Sequence, residues 1–567
     1  MKKSIYDKYI IGISYGFHDS AVALIKNGKV LNAVEEERFT GIKHDYSFPI
    51  NSINWILKEN NINGDDISVV CYYENPKLKY DRDKKSYWKY FWKNPFNFPK
   101  KSNPFDPIEN IFRKAKITVG NHHLSHLAYS YLTSDFDESA ILSVDGVGEW
   151  DTTVMAYGKQ NQIKRYGEVV YPHSLGLLYS TITAFLGFKP NEGEYKVMGL
   201  APYGTHLFHH KMFDELIKET DDGFELNMDY FSYHYSDKIM FNKKLSKLFN
   251  IPNRLPNEKV NDIHKNIAAA LQYTYEKHFF KLLNKLYKKS KSKNLCLSGG
   301  CAYNGTANGK IQSKTPFKNI WIPPAPSDAG SAIGAALYYW NHITNQREEN
   351  KSPFLGPSEK ILNVVNVIKE NDTKIFYEAL SDEELFPKIA KLISEGNIIG
   401  WVRGQLEFGA RALGNRSILA DPRDPQMKKR VNMVVKKREG FRPFAPMVTY
   451  EDMKNFFTPT IEIPYMNQIV SVKPKHRKKL PAITHIDGSA RVQTLREDFN
   501  PKMYKLLKEY QKITKYPILL NTSFNLKDQT MVRDSQEAID TFMNCDMDYL
   551  VIDNIFISKK ILSETLT

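Results

Sequence analysis

At 567 residues the chain is too long for one ordinary hydrophobic core, and two large domains are expected. Its 42% hydrophobic and 25% charged residues, with no long low-complexity tract, exclude the disordered and fibrous classes and favour a folded enzyme. A formal charge of +15 leaves nucleic acid, an anionic membrane and small anionic substrates in play, although lysine runs such as "KKSKSK" (288 to 293) and "KPKHRKK" (473 to 479) read most simply as solvated faces.

The opening "MKKSIYDKYIIGISYGF" fits neither a signal peptide nor a membrane anchor. No later segment approaches about 18 uninterrupted apolar residues, so a cytoplasmic protein is expected. Residues 9 to 39 read as strand, polar turn, strand, Asn27-Gly28 hairpin, strand. Residues 77 to 101 mix Trp88 and Trp92 with lysines. They read either as a platform for sugar rings of an anionic lipid-linked or nucleotide-linked acceptor, or as a lysine-decorated loop packing its aromatics.

"NHHLSH" (121 to 126) sets His122 and His126 on one helix face with His123 between, and the spacing alone leaves metal ligation and an ordinary polar face both open. Residues 139 to 170 repeat the plan of residues 9 to 39, each with an acidic loop after its first strand (Asp19; Asp145 and Asp151), which predicts duplicated lobes facing across a cleft. A long helix is expected over 260 to 289. "LSGGCAYNGTANG" (297 to 309) then offers Gly299 and Gly300, whose backbone can approach phosphate or simply turn tightly, with Asn304 close behind. Cys71, Cys296, Cys301 and Cys545 form no CxxC pair and read as small buried residues. A polar stretch of little periodicity sets the boundaries as 1 to 350, a linker over 351 to 374, and 375 to 567, the last a domain of mixed strands and helices with arginines in its loops.

Taken together, "GISYGFHDSAVAL", "EEERFTGIKHDYSFP", "NHHLSH", "VDGVGEWD", "YKVMGLAPYG", "LSGGCAYNGTANGKI" and "PPAPSDAGSAIGAAL" resemble the O-carbamoyltransferases of nodulation-factor and antibiotic biosynthesis. The resemblance continues through "EFGARALGNRSILADPR", "KKREGFRPFAP", "SARVQT" and "LNTSFN", covering nearly the whole chain. It implies an α/β N-terminal domain of the duplicated actin/hexokinase-like ATPase fold, similar to threonylcarbamoyl transferases. It also implies an α+β C-terminal domain similar to threonylcarbamoyl-adenylate synthases (YrdC-like). The implied chemistry is carbamoyl adenylate formation from carbamoyl phosphate and ATP in the C-terminal domain, then carbamoyl transfer to a hydroxyl of a sugar or natural product in the N-terminal one.

The resemblance maps a metal between His122, His126, Asp145 and Asp328. Two nitrogens and two carboxylates with positions to spare suit Fe(II) or another octahedral divalent ion better than structural zinc, and Mg for ATP is a further expectation. His18 is the candidate base, at an unperturbed pKa near 6.5, with Asp19 orienting it or joining the phosphate loop; a turn histidine without a proton role is the alternative. Lys43, His44 and Lys196 match motifs lining the acceptor or nucleotide cleft, while Gly41 stands where the pattern has arginine. Arg411, Lys436, Arg442 and Arg491 are the expected anion-binding cations, with Asn521 and Ser523 as hydrogen-bonding partners of phosphate or carbamate. Carbamoylation of tRNA and a non-catalytic nucleotide-binding regulator are the competing readings; dispersed basic residues weigh against nucleic acid. The acceptor and the oligomeric state stay open.

Overall fold

A computed structural model describes residues 8–93, 98–99, 103–205, 210–236, 238–358, 361–370, 375–438, 440 and 442–559; the first seven residues and parts of the 77 to 101 stretch and of the expected linker lie outside them. The chain divides into two compact units, residues 1–36 with 44–351, and residues 37–43 with 352–567.

The N-terminal unit is built twice on one plan. Strands β1 (Tyr9–Ser14), β2 (Ala21–Lys26) and β3 (Lys29–Glu35) form an antiparallel meander, and β4 (Ile67–Tyr72) and β5 (Lys116–Val119) add in parallel beyond β1, giving the order β3-β2-β1-β4-β5. Strands β6 (Glu138–Val144), β7 (Asp151–Lys159) and β8 (Gln162–Val170) repeat the meander. After a short hairpin, β9 (Ile217–Glu219) with β10 (Phe224–Leu226), the strands β11 (Asn294–Ser298) and β12 (Asn319–Trp321) complete the order β12-β11-β6-β7-β8 in parallel with β6. This duplication is the actin/hexokinase-like arrangement, and it sets Asp19 and Asp145 on equivalent loops.

Two helices lie between the sheets, His122–Leu132 against the second and Asp328–Thr344 against the first, and they pack on each other. The run "SDAGSAIGAA" explains their close approach: a Cβ added to Gly334 would fall 1.9 Å from the Ser125 backbone oxygen. Small residues here bring one helix's histidines to the other helix's first residue. The predicted long helix spans Asp262–Ser290.

The C-terminal unit is α+β. Its eight-stranded mixed sheet runs β13 (Ile375–Ala379), β23 (Ile555–Lys559), β22 (Tyr549–Ile552), β14 (Ile399–Val402), β15 (Arg416–Ala420), β21 (Ile518–Ser523), β16 (Ala445–Thr449) and β20 (Gln493–Leu495), and β17 (Phe457–Thr458), β18 (Ile469–Val472) and β19 (Ser489–Arg491) form a smaller sheet. Separate apolar cores cover the large sheet's two faces.

Two expectations are corrected. The linker contains a helix, Ile361–Glu370, because Val364 and Ile368, four apart, insert into the C-terminal core; the charged residues around them masked that periodicity. The described part of the 77 to 101 stretch is not a loop: Asn75 caps helix Pro76–Lys89 by accepting from the Lys77 and Leu78 amides, with Pro76 in the first turn. Among the described residues no helix is long and apolar enough to cross a membrane.

Candidate active site

His122 and His126 lie one helical turn apart with their Nε2 atoms 3.2 Å from each other. Asp145 Oδ2, at the end of β6, is 2.9 Å from His122 Nε2 and 3.3 Å from His126 Nε2. Asp328 Oδ1 lies 3.5 and 3.4 Å from the same nitrogens. All four residues are buried, and their ligating atoms lie within 4.8 Å of one another. The surroundings orient them: Ser331 Oγ is 3.0 Å from His126 Nδ1, Glu74 Oε2 is 3.7 Å from His122 Nδ1, and the Gly300 amide donates to Asp145 Oδ1 at 2.9 Å. His123 faces elsewhere, with its ring nitrogens 2.9 Å from Ser143 Oγ and from the Asp151 carbonyl.

The donor set suits a cation. Among the described residues neither carboxylate oxygen of fully buried Asp328 has a hydrogen-bond partner, a costly state that a bound divalent ion relieves. Burial alone pulls the His122 imidazole down, yet Asp328, Asp145 and Glu74 outweigh it and hold it well above its ordinary pKa. Burial pushes Asp145 up, and the two imidazoles more than reverse this, leaving it well below the usual carboxylate range.

Beside the cluster, Asp19 Oδ2 is 3.1 Å from His18 Nδ1, Asp19 Oδ1 is 2.6 Å from His44 Nδ1, and His18 Nε2 stands 3.9 Å from Asp328 Oδ2. Asp19 and His44 both hold left-handed backbone, φ +53° and +55°, strain of the kind that accompanies functional loops. His18 does not keep an ordinary histidine pKa: burial lowers it, but Asp328, Asp19 and Asp145 raise it to about 10. Charge compensation at Asp145 and Asp328 would bring it back down.

Gly299, at φ +85°, passes so close to β6 that a Cβ would meet the Val144 carbonyl oxygen at 2.3 Å. Asn304 Oδ1 accepts from the Ala307 amide and Gln272 Nε2, and its amide donates to Gln272 Oε1, each at 3.1 Å. Lys196 sits half-buried in helix Glu194–Leu200. Gly41 has φ +70°, so an arginine on this backbone would be strained.

In the C-terminal unit, Lys436 follows a π-helical turn, Arg430–Val435, and is buried. Its Nζ donates to the Ser523 carbonyl (2.8 Å), Ser523 Oγ (3.1 Å) and Asn525 Oδ1 (2.8 Å). Burial first, then Arg438, Arg442 and Lys43, hold its ammonium well below the ordinary lysine pKa, so four cations share one neighbourhood. The loop bearing Arg411 is braced by residues that sequence reading missed. Glu407 Oε1 accepts from the Leu413, Asn415 and Arg416 amides at 2.8, 2.8 and 3.1 Å, and Gln493 Nε2 donates to the Leu413 carbonyl at 2.9 Å. Asn521, expected to contact phosphate or carbamate, donates to the Ala412 carbonyl and Gln493 Oε1. Arg491 ends β19, paired in register with Ile469.

Residues 9–337 match the family model for the carbamoyltransferase N-terminus, and residues 390–559 that for the carbamoyltransferase C-terminus. The chain belongs to the carbamoyltransferase family. As a carbamoyltransferase it is an enzyme that transfers a carbamoyl group. It is similar to the uncharacterized protein sll1178 of Synechocystis sp., 39% identical over 97% of each chain. It is also similar to the nodulation protein NolNO of Sinorhizobium fredii, 35% identical over 96% of this chain and 80% of that one, and to NolO of Bradyrhizobium diazoefficiens, 35% identical over 78% and 79%. Component A of (R)-2-hydroxyglutaryl-CoA dehydratase from Acidaminococcus fermentans aligns with 59% of this chain and 99% of its own at 14% identity and a TM-score of 0.33.

Proposed function

We propose that this carbamoyltransferase is ATP-dependent and divides its reaction between its two units. In the C-terminal unit carbamoyl phosphate gives up phosphate to water, and an oxygen of the resulting carbamate attacks the α-phosphorus of ATP, releasing pyrophosphate and leaving carbamoyl adenylate. Lys436 supports this half-reaction: a buried ammonium with Arg438, Arg442 and Lys43 near it is stabilised by an anion more than by water. Arg411 grips phosphate oxygens from its braced loop, with Arg442 and Arg491 as further cations. Ser523 steers Lys436.

In the N-terminal unit an acceptor hydroxyl attacks the carbamoyl carbon, AMP leaves, and the hydroxyl proton passes to Nε2 of His18, whose Nδ1 is held by Asp19. His122, His126, Asp145 and Asp328 would hold a divalent ion, Fe(II) fitting the mixed nitrogen and oxygen donors, which when bound offsets negative charge on the departing AMP as a Lewis acid. The buried cluster with its two unpartnered Asp328 oxygens is the observation that carries this reading. His44, Lys196 and the Gly299 and Gly300 loop line the adenylate and acceptor side. We place the reaction in the cytoplasm, where ATP is made.

The test is incubation of the metal-loaded chain with ATP and carbamoyl phosphate without acceptor. Pyrophosphate release together with carbamoyl adenylate in the mass spectrum supports the donor chemistry. No pyrophosphate from folded protein removes it.

A further inference from the structure

Helix Pro76–Lys89 and the turn Phe91–Lys93 that follows present two different faces. The inward face carries Lys79, Arg82, Ser86 and Tyr90. Lys79 Nζ donates to Glu74 Oε1 at 2.8 Å, Arg82 Nη1 donates to the Gly148 carbonyl, Ser86 Oγ donates to the His234 carbonyl, and the Tyr90 ring meets the His234 ring edge-on at 4.3 Å. The helix orientation is therefore fixed.

Fixing that face leaves Lys77, Asp81, Lys84, Lys85, Trp88, Lys89, Trp92 and Lys93 exposed, at the three- and four-residue steps of one stripe, with the Lys85 and Lys93 ammonium groups resting over the Trp150 and Tyr235 rings at 5.2 and 4.7 Å. Trp88 is 58% exposed and Trp92 91% exposed, although neither indole gains anything from water on its ring faces. Trp88 stacks with Phe91 at 5.8 Å, which stiffens the apolar end of the stripe. Five lysines against one aspartate leave a net charge of +4 along it.

We propose that this stripe docks the protein on an anionic lipid bilayer, with the two indoles at the interface and the lysines among the headgroups. Indoles favour that boundary because their rings are apolar and their N–H needs a polar partner. Lysine ammonium groups act as point charges that a diffuse anionic surface satisfies, whereas bidentate gripping of discrete nucleic-acid phosphates calls for arginine, and the outward stripe has none. A sugar-binding platform needs a concave wall with converging polar groups, and among the described residues an indole 91% exposed has no such wall. The helix, 14 residues long, is too short to span a bilayer.

The same helix reaches the metal-binding cluster. Glu74, which takes the Lys79 bond, lies 3.7 Å from His122 Nδ1, and Gly148, which takes the Arg82 bond, packs against the His122 ring. Docking thus brings a bilayer beside the cluster; the corollary, an acceptor hydroxyl carried at a membrane surface, rests on the function proposed above.

Sedimentation of the full chain with vesicles tests the inference, using phosphatidylcholine alone and phosphatidylcholine mixed with phosphatidylglycerol. Binding is expected only to the mixed vesicles, weakening at least about tenfold when salt rises from about 0.05 to 0.5 M. Trp88→Ala/Trp92→Ala and Lys84→Glu/Lys89→Glu chains should each bind at least about tenfold more weakly while circular dichroism and carbamoyl adenylate formation stay as in the parent. Failure of the parent chain to sediment, undiminished binding of the tryptophan variant, or capture of RNA or a soluble oligosaccharide through the stripe without vesicle binding would each overturn it. Vesicle binding without adenylate formation would leave docking standing and remove the proposed reaction.

Discussion

The N-terminal unit gathers two carboxylates and two imidazoles within 4.8 Å, and the C-terminal unit gathers Lys436 among Arg438, Arg442 and Lys43. The first set, carboxylates paired with imidazoles, is buried throughout; in the second Lys436 is buried and Arg438, Arg442 and Lys43 are half-buried around it. In the proposed reaction the first would take a cation, and the second phosphate and carbamate. The supports differ accordingly. The cluster is oriented by side chains and by one close helix crossing, while Lys436 is held by Ser523 and Asn525 and the loop bearing Arg411 by backbone amides that converge on Glu407.

The largest effect is expected at the cluster. Asp328→Asn should remove bound divalent metal and depress carbamoyl transfer by about a thousandfold or more, read by elemental analysis and acceptor turnover, with adenylate formation kept. Full metal occupancy in that chain would show that the two unpartnered oxygens are not ligands.

Next comes Lys436→Met, which should lower adenylate formation by about a hundredfold or more while raising Tm of the ligand-free chain. The sign follows from the depressed pKa. The unfolded lysine binds a proton that the folded one resists, so the penalty is present at neutral pH and disappears only above the ordinary lysine pKa. A lower Tm would mean the ammonium is already satisfied.

Glu407→Ala should cost about 3 kcal/mol of stability by orphaning three buried amides, and it should raise KM for ATP more than it lowers transfer from supplied adenylate. An unchanged KM would detach the brace from Arg411.

The smallest effect is on pH. His122 stands above its ordinary pKa in the metal-free chain, so its proton is held at neutral pH and lost only as pH rises through that elevated value. A metal must displace this proton, so affinity should fall about tenfold per unit of acidification across neutral pH for each proton displaced, checked by metal titration.

The strands of both meanders and the acidic loops between them were legible in the sequence because alternation and turn residues are local signals. The four cluster residues were legible only through the resemblance, since a pair of histidines four apart has the same spacing on any helix. Glu407 escaped because a carboxylate accepting three backbone amides is a property of a folded loop. Asn521 and Asn304 matched motifs for ligands, and the bonds they also make to Gln493 and Gln272 and to nearby backbone are properties of the folded loops. His18 was read at its free pKa because the charge that shifts it comes from Asp328, more than three hundred residues away in sequence. Residues 37–43 read as a continuation of the first lobe yet group with the C-terminal unit, where Arg38 Nη2 donates to the Gly409 carbonyl at 2.9 Å.

The division of labour is tested most directly by measuring both half-reactions in Arg411→Ala and His122→Ala chains. The account predicts that the Arg411 variant makes no carbamoyl adenylate but transfers from supplied adenylate, and that the His122 variant accumulates adenylate without carbamoylating an acceptor. Equal loss of adenylate formation in both would contradict it.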